Sequence, residues 1–170
     1  VDGPDDEVPG TLSQCACAVL MKVLYGARLA RFDLLKAVQV LACKVSKWTI
    51  NHDRQLHRLM CYIKATTHVC MKGYVGDTMD DLWIRLFGDA DFAGEKDAKS
   101  TSGIFECLHG PNIMFPLHAM SKKQGSVAHC TPEAEIVAAN TAVRSVGIPA
   151  IYLWRTLLGR DVHIEFMEDN

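Results

Sequence analysis

The chain has 170 residues, room for one generous domain or for a compact domain with a smaller helical piece. Hydrophobic residues make up 49% and charged residues 22%, an ordinary globular balance that sets aside disorder and a membrane protein. The net charge of −2 does not advertise a nucleic-acid binder, but the charge is unevenly spread: Arg28 to Lys64 holds eight bases against two acids, whereas the first ten residues hold four acids and no base.

The apolar stretch from Cys15 to Tyr25 is broken by Lys22 and is shorter than a bilayer span, so no membrane is expected. It follows acids rather than a basic region, which argues against a secretory signal. The seven cysteines form no Cys-x-x-Cys pair and read as reduced, mostly buried small side chains of an intracellular protein.

In chain order, Val1 to about Thr11 is acidic and contains Gly and Pro, as in a linker or frayed end. Leu12 to Tyr25 reads as a buried helix ended by Gly26. Phe32 to Trp48 carries Leu34, Val38, Leu41 and Val45 at helical spacing. Asn51 reads as the N-cap of a third helix whose apolar stripe is Leu56, Leu59, Met60 and Ile63. A helical segment therefore covers residues 12–66.

From residue 67 the pattern changes to short strands: Thr67 to Tyr74, Leu82 to Gly88, Gly103 to Leu108 and Ile113 to Leu117, with His109-Gly110-Pro111-Asn112 as a hairpin turn. Glu133 to Val146 is Ala-rich and helical, Gly147 and Pro149 interrupt it, and Ala150 to Leu158 resumes as a helix. Val162 to Met167 is a last strand. This order predicts an α/β domain over 67–170 with a mixed sheet and packed helices. Its final strand has nothing after it to cover its far side, as in a domain cut short.

Three acids stand out by position. Asp89 follows the second predicted strand with Asp91 two residues on, Glu135 falls in the first turn of the Ala-rich helix, and Asp169 ends the last strand. Grouped carboxylates repel one another unless a cation lies between them, and hard oxygen ligands select Mg2+ or Mn2+. Read singly, Asp89-Ala-Asp91 is more often a turn and Glu135 more often a surface helix residue.

The wording around these acids is more specific. Phe87-Gly88-Asp89-Ala90-Asp91-Phe92-Ala93-Gly94, Lys99-Ser100-Thr101-Ser102-Gly103, Ser121-Lys122-Lys123-Gln124 and Thr131-Pro132-Glu133-Ala134-Glu135 resemble, in order, the ribonuclease H region of copia-type retrotransposon polyproteins. Glu168-Asp169-Asn170 falls where that family has Cys-Asp-Asn. Ala30-Arg31-Phe32-Asp33 and the block containing His52, Arg58, Tyr62 and Lys64 resemble the end of its reverse transcriptase.

The resemblance implies a ribonuclease H-like fold that uses Mg2+ or Mn2+ to hydrolyse the RNA strand of an RNA–DNA hybrid, joined to an upstream reverse transcriptase region. Asp89, Glu135 and Asp169 carry over as catalytic metal ligands, with Asp91 beside them. Lys99, Ser100, Lys122 and Lys123, with Lys96, are candidates for nucleic-acid contact. The implied location is intracellular, in a cytoplasmic particle or the nucleus.

The chain departs from the family at Phe92, Pro132, Phe32 and Cys61, and lacks the family's fourth acidic residue. Nothing upstream resembles a polymerase's catalytic acids. Two other expectations stand beside the nuclease. One is a non-catalytic nucleic-acid-binding or interaction remnant using the basic helices. The other is a zinc-structured module on His57, Cys61, His68 and Cys70.

Overall fold

A computed structural model describes residues 8–94 and 97–168. The chain divides into two compact units, the first ending at Met71 and the second beginning at Lys72.

The first unit is helical: α1 (Ser13–Ala30), α2 (Leu35–Ala42) and α3 (Ile50–Ala65), with 3-10 turns at Phe32–Leu34 and Val45–Lys47. Gly26 does not end α1. It lies exposed in mid-helix, where lost backbone entropy costs about 1 kcal/mol against Ala and does not outweigh the continuing turn. The expected single helix from Phe32 to Trp48 is instead α2 flanked by the two tighter turns. Leu20, Ala27, Val38, Leu41, Leu56 and Leu59 form its buried side, while Met60 is turned out to solvent.

Thr49, not Asn51, caps α3, because Thr49 is the residue with extended backbone; its N–H donates to His52 Nδ1 at 3.0 Å in a capping box. Residues 1–7 of the predicted linker lie outside the described residues, but the residues after them are bonded to α3's entry. Gly10 N–H donates to Trp48 O at 3.1 Å, and a Cβ on Gly10 would lie 2.6 Å from Thr49 O.

Asp53 completes that junction. Its carboxylate accepts from Thr11 N–H and Oγ1–H, Leu12 N–H and the Trp48 indole at 2.6–3.2 Å. Partial burial would push its pKa up, but the donors from Trp48, Thr11 and Leu12 prevail and hold it below the ordinary carboxylate value.

The second unit is a mixed sheet under a helical layer. Its elements are β1 (Trp83–Asp91), β2 (Thr101–His109), β3 (Met114–Lys123), α4 (Thr131–Ala142), α5 (Ile148–Leu158) and β4 (Ile164–Met167). The strand order is β3-β2-β1-β4, with β4 parallel to β1 and the other pairs antiparallel. The hairpin turn stands as expected: Gly110 N–H donates to Ile113 O at 3.1 Å, and Asp77 accepts two hydrogen bonds from Asn112 at 2.8 Å.

The strand predicted over Thr67–Tyr74 is absent. Those residues are a turn and an irregular, mostly exposed connection. The run has β-forming side chains but no partner strand, and propensity without pairing does not make a sheet.

Even-numbered positions of β1 face the helices: Ile84 packs with Ala150 and Val162, Leu86 with Ala142 and Val146, and Ala90 with Ala134 and Ala138. Gly88 lets α4 come close, since a Cβ there would stand 3.1 Å from the Phe166 ring and 3.5 Å from Ala142 Cβ.

No break separates α4 from α5; Val143–Gly147 is one π turn within a continuous helix. The expected interruption is therefore a change of pitch. Residues 134, 138, 142, 146 and 150 all face the sheet. In an α-helix each step of four overshoots a full turn by about 40°, so four steps would carry this stripe about 160° around the axis. The wider turn cancels part of that drift. Pro149 lacks an N–H to return to the preceding turn, which suits a change of pitch at this point.

The joined helix, Thr131–Leu158, is long and apolar enough to cross a membrane by length and composition, but its small-residue stripe is packed on the sheet. The cysteines reverse their expectation. All seven are free and only Cys107 is buried.

One acid of the sheet faces the helices. Glu106 of β2 is 5% exposed, and burial pushes its carboxyl up to about 7 from 4.5. Between those pH values the folded chain keeps a proton that the unfolded chain releases. Stability from this group is thus full below pH 4.5 and lost as pH rises through 7, by at most about 3 kcal/mol. Glu106→Gln is expected to flatten that fall. In thermal melts at pH 5 and pH 8 the variant should gain on the parent only at pH 8, and an equal difference at both would refute the assignment.

Candidate active site

Asp89 lies inside β1 rather than after it, two residues from the strand's end, because pairing with β2 runs on to Asp91 opposite Thr101. It is exposed, and alternation along β1 sends it to the face turned away from α4. Directly across from it stands Gly103, where a Cβ would meet nothing nearer than Asp89 O at 3.9 Å. The carboxylate therefore has open space beside it on an otherwise side-chain-lined sheet. Asp91 is exposed on the same face and turns toward the following loop, within 2.5 Å of where a Cβ on Gly94 would be.

Glu135 sits one turn into α4, which begins at Thr131 rather than Glu133. The first-turn acid is Glu133, whose Oε2 accepts His129 N–H at 2.7 Å. Glu135 is 6% exposed, next to the Ala134–Ala138 stripe that packs on Ala90. Asp89 and Glu135 thus belong to the same end of β1 but lie on different sides of the sheet.

Asp169 lies outside the described residues. The strand leading to it, β4, runs parallel to β1 and is in register with it from Ile164 opposite Ile84 to Met167 opposite Phe87. Among the described residues, no group of three His, Cys, Asp or Glu side chains is placed to hold a metal ion. The alternative zinc set includes one close pair, with Cys61 Sγ 3.7 Å from His57 Nδ1 one turn away on α3.

The candidate nucleic-acid residues separate. Ser100 is fully buried, and its Oγ accepts Ala93 N–H at 3.3 Å, so it braces the loop after β1. Lys99 Nζ donates to Gly125 O at 2.9 Å. Lys122 and Lys123 are adjacent on β3 and so point to opposite faces. Lys123, opposite Thr101, shares the face of Asp89 and Asp91 and pairs with Asp97 at 2.7 Å. Lys96 lies outside the described residues.

The other half of the open face carries a polar cluster that the sequence did not announce. Arg85 bonds Glu165 through Nε at 2.7 Å and lies 2.7 Å from His109 Nε2, while the Trp83 indole donates to Glu165 at 3.0 Å. The Arg85 and Trp83 donors hold the Glu165 carboxyl below its ordinary range. Arg85 and Glu165 are 80 residues apart in sequence and meet through the parallel β1–β4 register, while the antiparallel β1–β2 register brings His109 to them. The Phe87–Phe105 pair separates this cluster from Asp89.

The polar residue that ties the helical layer to the sheet was also missed as such. Gln124 is buried and its Nε2 donates to Ser102 Oγ at 3.0 Å and to Ala134 O at 2.9 Å. The motif residues Ser102, Gln124 and Ala134 are thereby joined, which fixes where α4 begins over β2. Compared with protein families, with curated proteins and with solved structures, the chain matches none.

Proposed function

We propose that the second unit is a ribonuclease H-like domain that hydrolyses the RNA strand of RNA–DNA hybrids as part of a retrotransposon polyprotein. The observation that carries this reading is the side-by-side, parallel pairing of β1 and β4, with Asp89 exposed toward the carboxyl ends of both strands. In open α/β sheets ligands bind outside those ends, and a parallel pair brings acids distant in sequence to one edge. Asp89, with Asp91 beside it, and Asp169 would offer the hard oxygen donors that Mg2+ or Mn2+ requires, and Glu135, on the other side of β1, would have to join them around the strand's end. Asp89 enters by strand position and motif, and Glu135 and Asp169 by motif.

The bound ions would activate water for in-line attack and stabilise the leaving oxygen of the phosphodiester. The chain's own contribution is placement. The bare Gly103 position leaves room beside Asp89 for a phosphate, and Gln124 fixes the start of the helix bearing Glu135. Preference for a hybrid would rest on groove shape and 2′-hydroxyl contacts rather than on base edges.

The full chain incubated with end-labelled hybrid and Mn2+ or Mg2+ is expected to release RNA fragments with 3′-hydroxyl and 5′-phosphate ends. A DNA duplex of the same sequence should stay intact, and EDTA should stop cleavage. Cleavage that persists in EDTA, or an uncut hybrid under all metal conditions, would overturn the proposal.

A further inference from the structure

A cavity of about 380 Å³ opens on the helical side of the sheet, lined by residues of β2, β3 and the α4–α5 helix. Its wall is apolar, formed by Val146, Ala150, Leu153 and Trp154, and its polar members include Glu106 and His118, which face one another across the β2–β3 register. Glu106 is 5% exposed, and its buried Oε1 has no hydrogen-bond partner among the described residues. Buried polar atoms are nearly always bonded, so an orphaned carboxyl oxygen opening into a cavity marks a place for a donor.

The size and lining are those of a small-ligand site: largely apolar, with a few polar groups to fix orientation. A carboxylate there favours a positively charged donor over a neutral or anionic one, since burying its charge is offset only by an opposite charge. Trp154 offers an aromatic surface beside it, suited to stacking with a ring.

We propose that this cavity binds a small apolar molecule carrying one protonated nitrogen, of the arylalkylamine class, with its ammonium on Glu106 and its ring against Trp154 and Ala150. The site is separate from the Asp89 face, on the opposite side of the sheet, and its occupancy does not require hybrid cleavage.

Titration of the isotopically labelled full chain with 2-phenylethylamine, followed by NMR, tests this. The amine is expected to shift the signals of Ser145, Ala150 and the Trp154 indole saturably, with a Kd of about 1 mM or lower, the range open to a ligand of this size. Glu106→Gln should weaken binding at least tenfold, and 3-phenylpropionate should give no saturable shift. Leu153→Ser, at the exposed rim, provides a second variant whose folding is not at issue and should weaken binding severalfold. Equal affinity in Glu106→Gln or Leu153→Ser, equal binding of the propionate, shifts confined to other residues, or no saturation up to the amine's solubility limit would each overturn the proposal.

Discussion

Replacing Asp89 with Asn is expected to lower hybrid cleavage by at least about 10²-fold while leaving the fold intact. The magnitude follows from removing a preorganised charge at a phosphoryl centre, where a single group is worth on the order of 10²–10³ in rate. Asn keeps the shape and one oxygen but loses the negative charge that binds a hard cation. The fold should not respond, because Asp89 is exposed and opposite a glycine. Cleavage rates at several Mn2+ concentrations, with thermal melts of both proteins, supply the check. Equal rates in parent and variant would remove Asp89 from the active site even if the chain cuts hybrid.

The second large effect is on stability. Leu86→Ala is expected to cost about 3–4 kcal/mol, within the range for deleting a fully buried leucine side chain. Leu86 is 0% exposed and packs with Ile104, Ala142 and Val146, so the vacated space is bounded by two strands and the helix. Those neighbours are small or held by sheet pairing and have little freedom to fill it. Domains of this size are stable by only about 5–15 kcal/mol, so the loss should be plain in urea unfolding followed by the fluorescence of Trp83 and Trp154. Ile136→Ala, at a position 69% exposed, serves as the comparison and should stay within about 0.5 kcal/mol. A Leu86→Ala effect as small as that would mean that β1 is not seated under α4 as described.

The features that sequence made legible are those written in local pattern. The strand at β1, the hairpin at Gly110 and the stripe of α3 apart from Met60 all appear in short windows, because local structure is set by residues close together. The failures share another cause. Gly26, Asn51 and the 67–74 run carry the right local signals, yet a continuing helix, a better-placed Thr49 and the lack of a partner strand decided otherwise. The Arg85–Glu165–Trp83 cluster and the Asp53 junction are made across long separations and leave no trace in a window.

The candidate site is divided in the same way. Motif wording singled out Asp89 and Glu135, but only the fold shows that one is exposed and the other buried, on different sides of β1. Glu106 was invisible because an acid on a half-buried strand reads as solvent-facing until its neighbours are known. A four-residue recurrence of small side chains from Ala134 to Ala150 was present in the sequence, and it was the available sign that the helix could not be uniform.

That recurrence makes the Val143–Gly147 turn a phase adjuster. If all five residues took ordinary pitch, about 100° each against roughly 80° in the wide turn, everything after them would roll by about 90°. Ala150 and Trp154 would swing off the strands while the residues before Val143 stayed seated. Pitch, more than chemistry, is the constrained quantity in these five residues: a change of side chain alters one contact, whereas loss of the wide turn at constant length rolls the whole downstream arm.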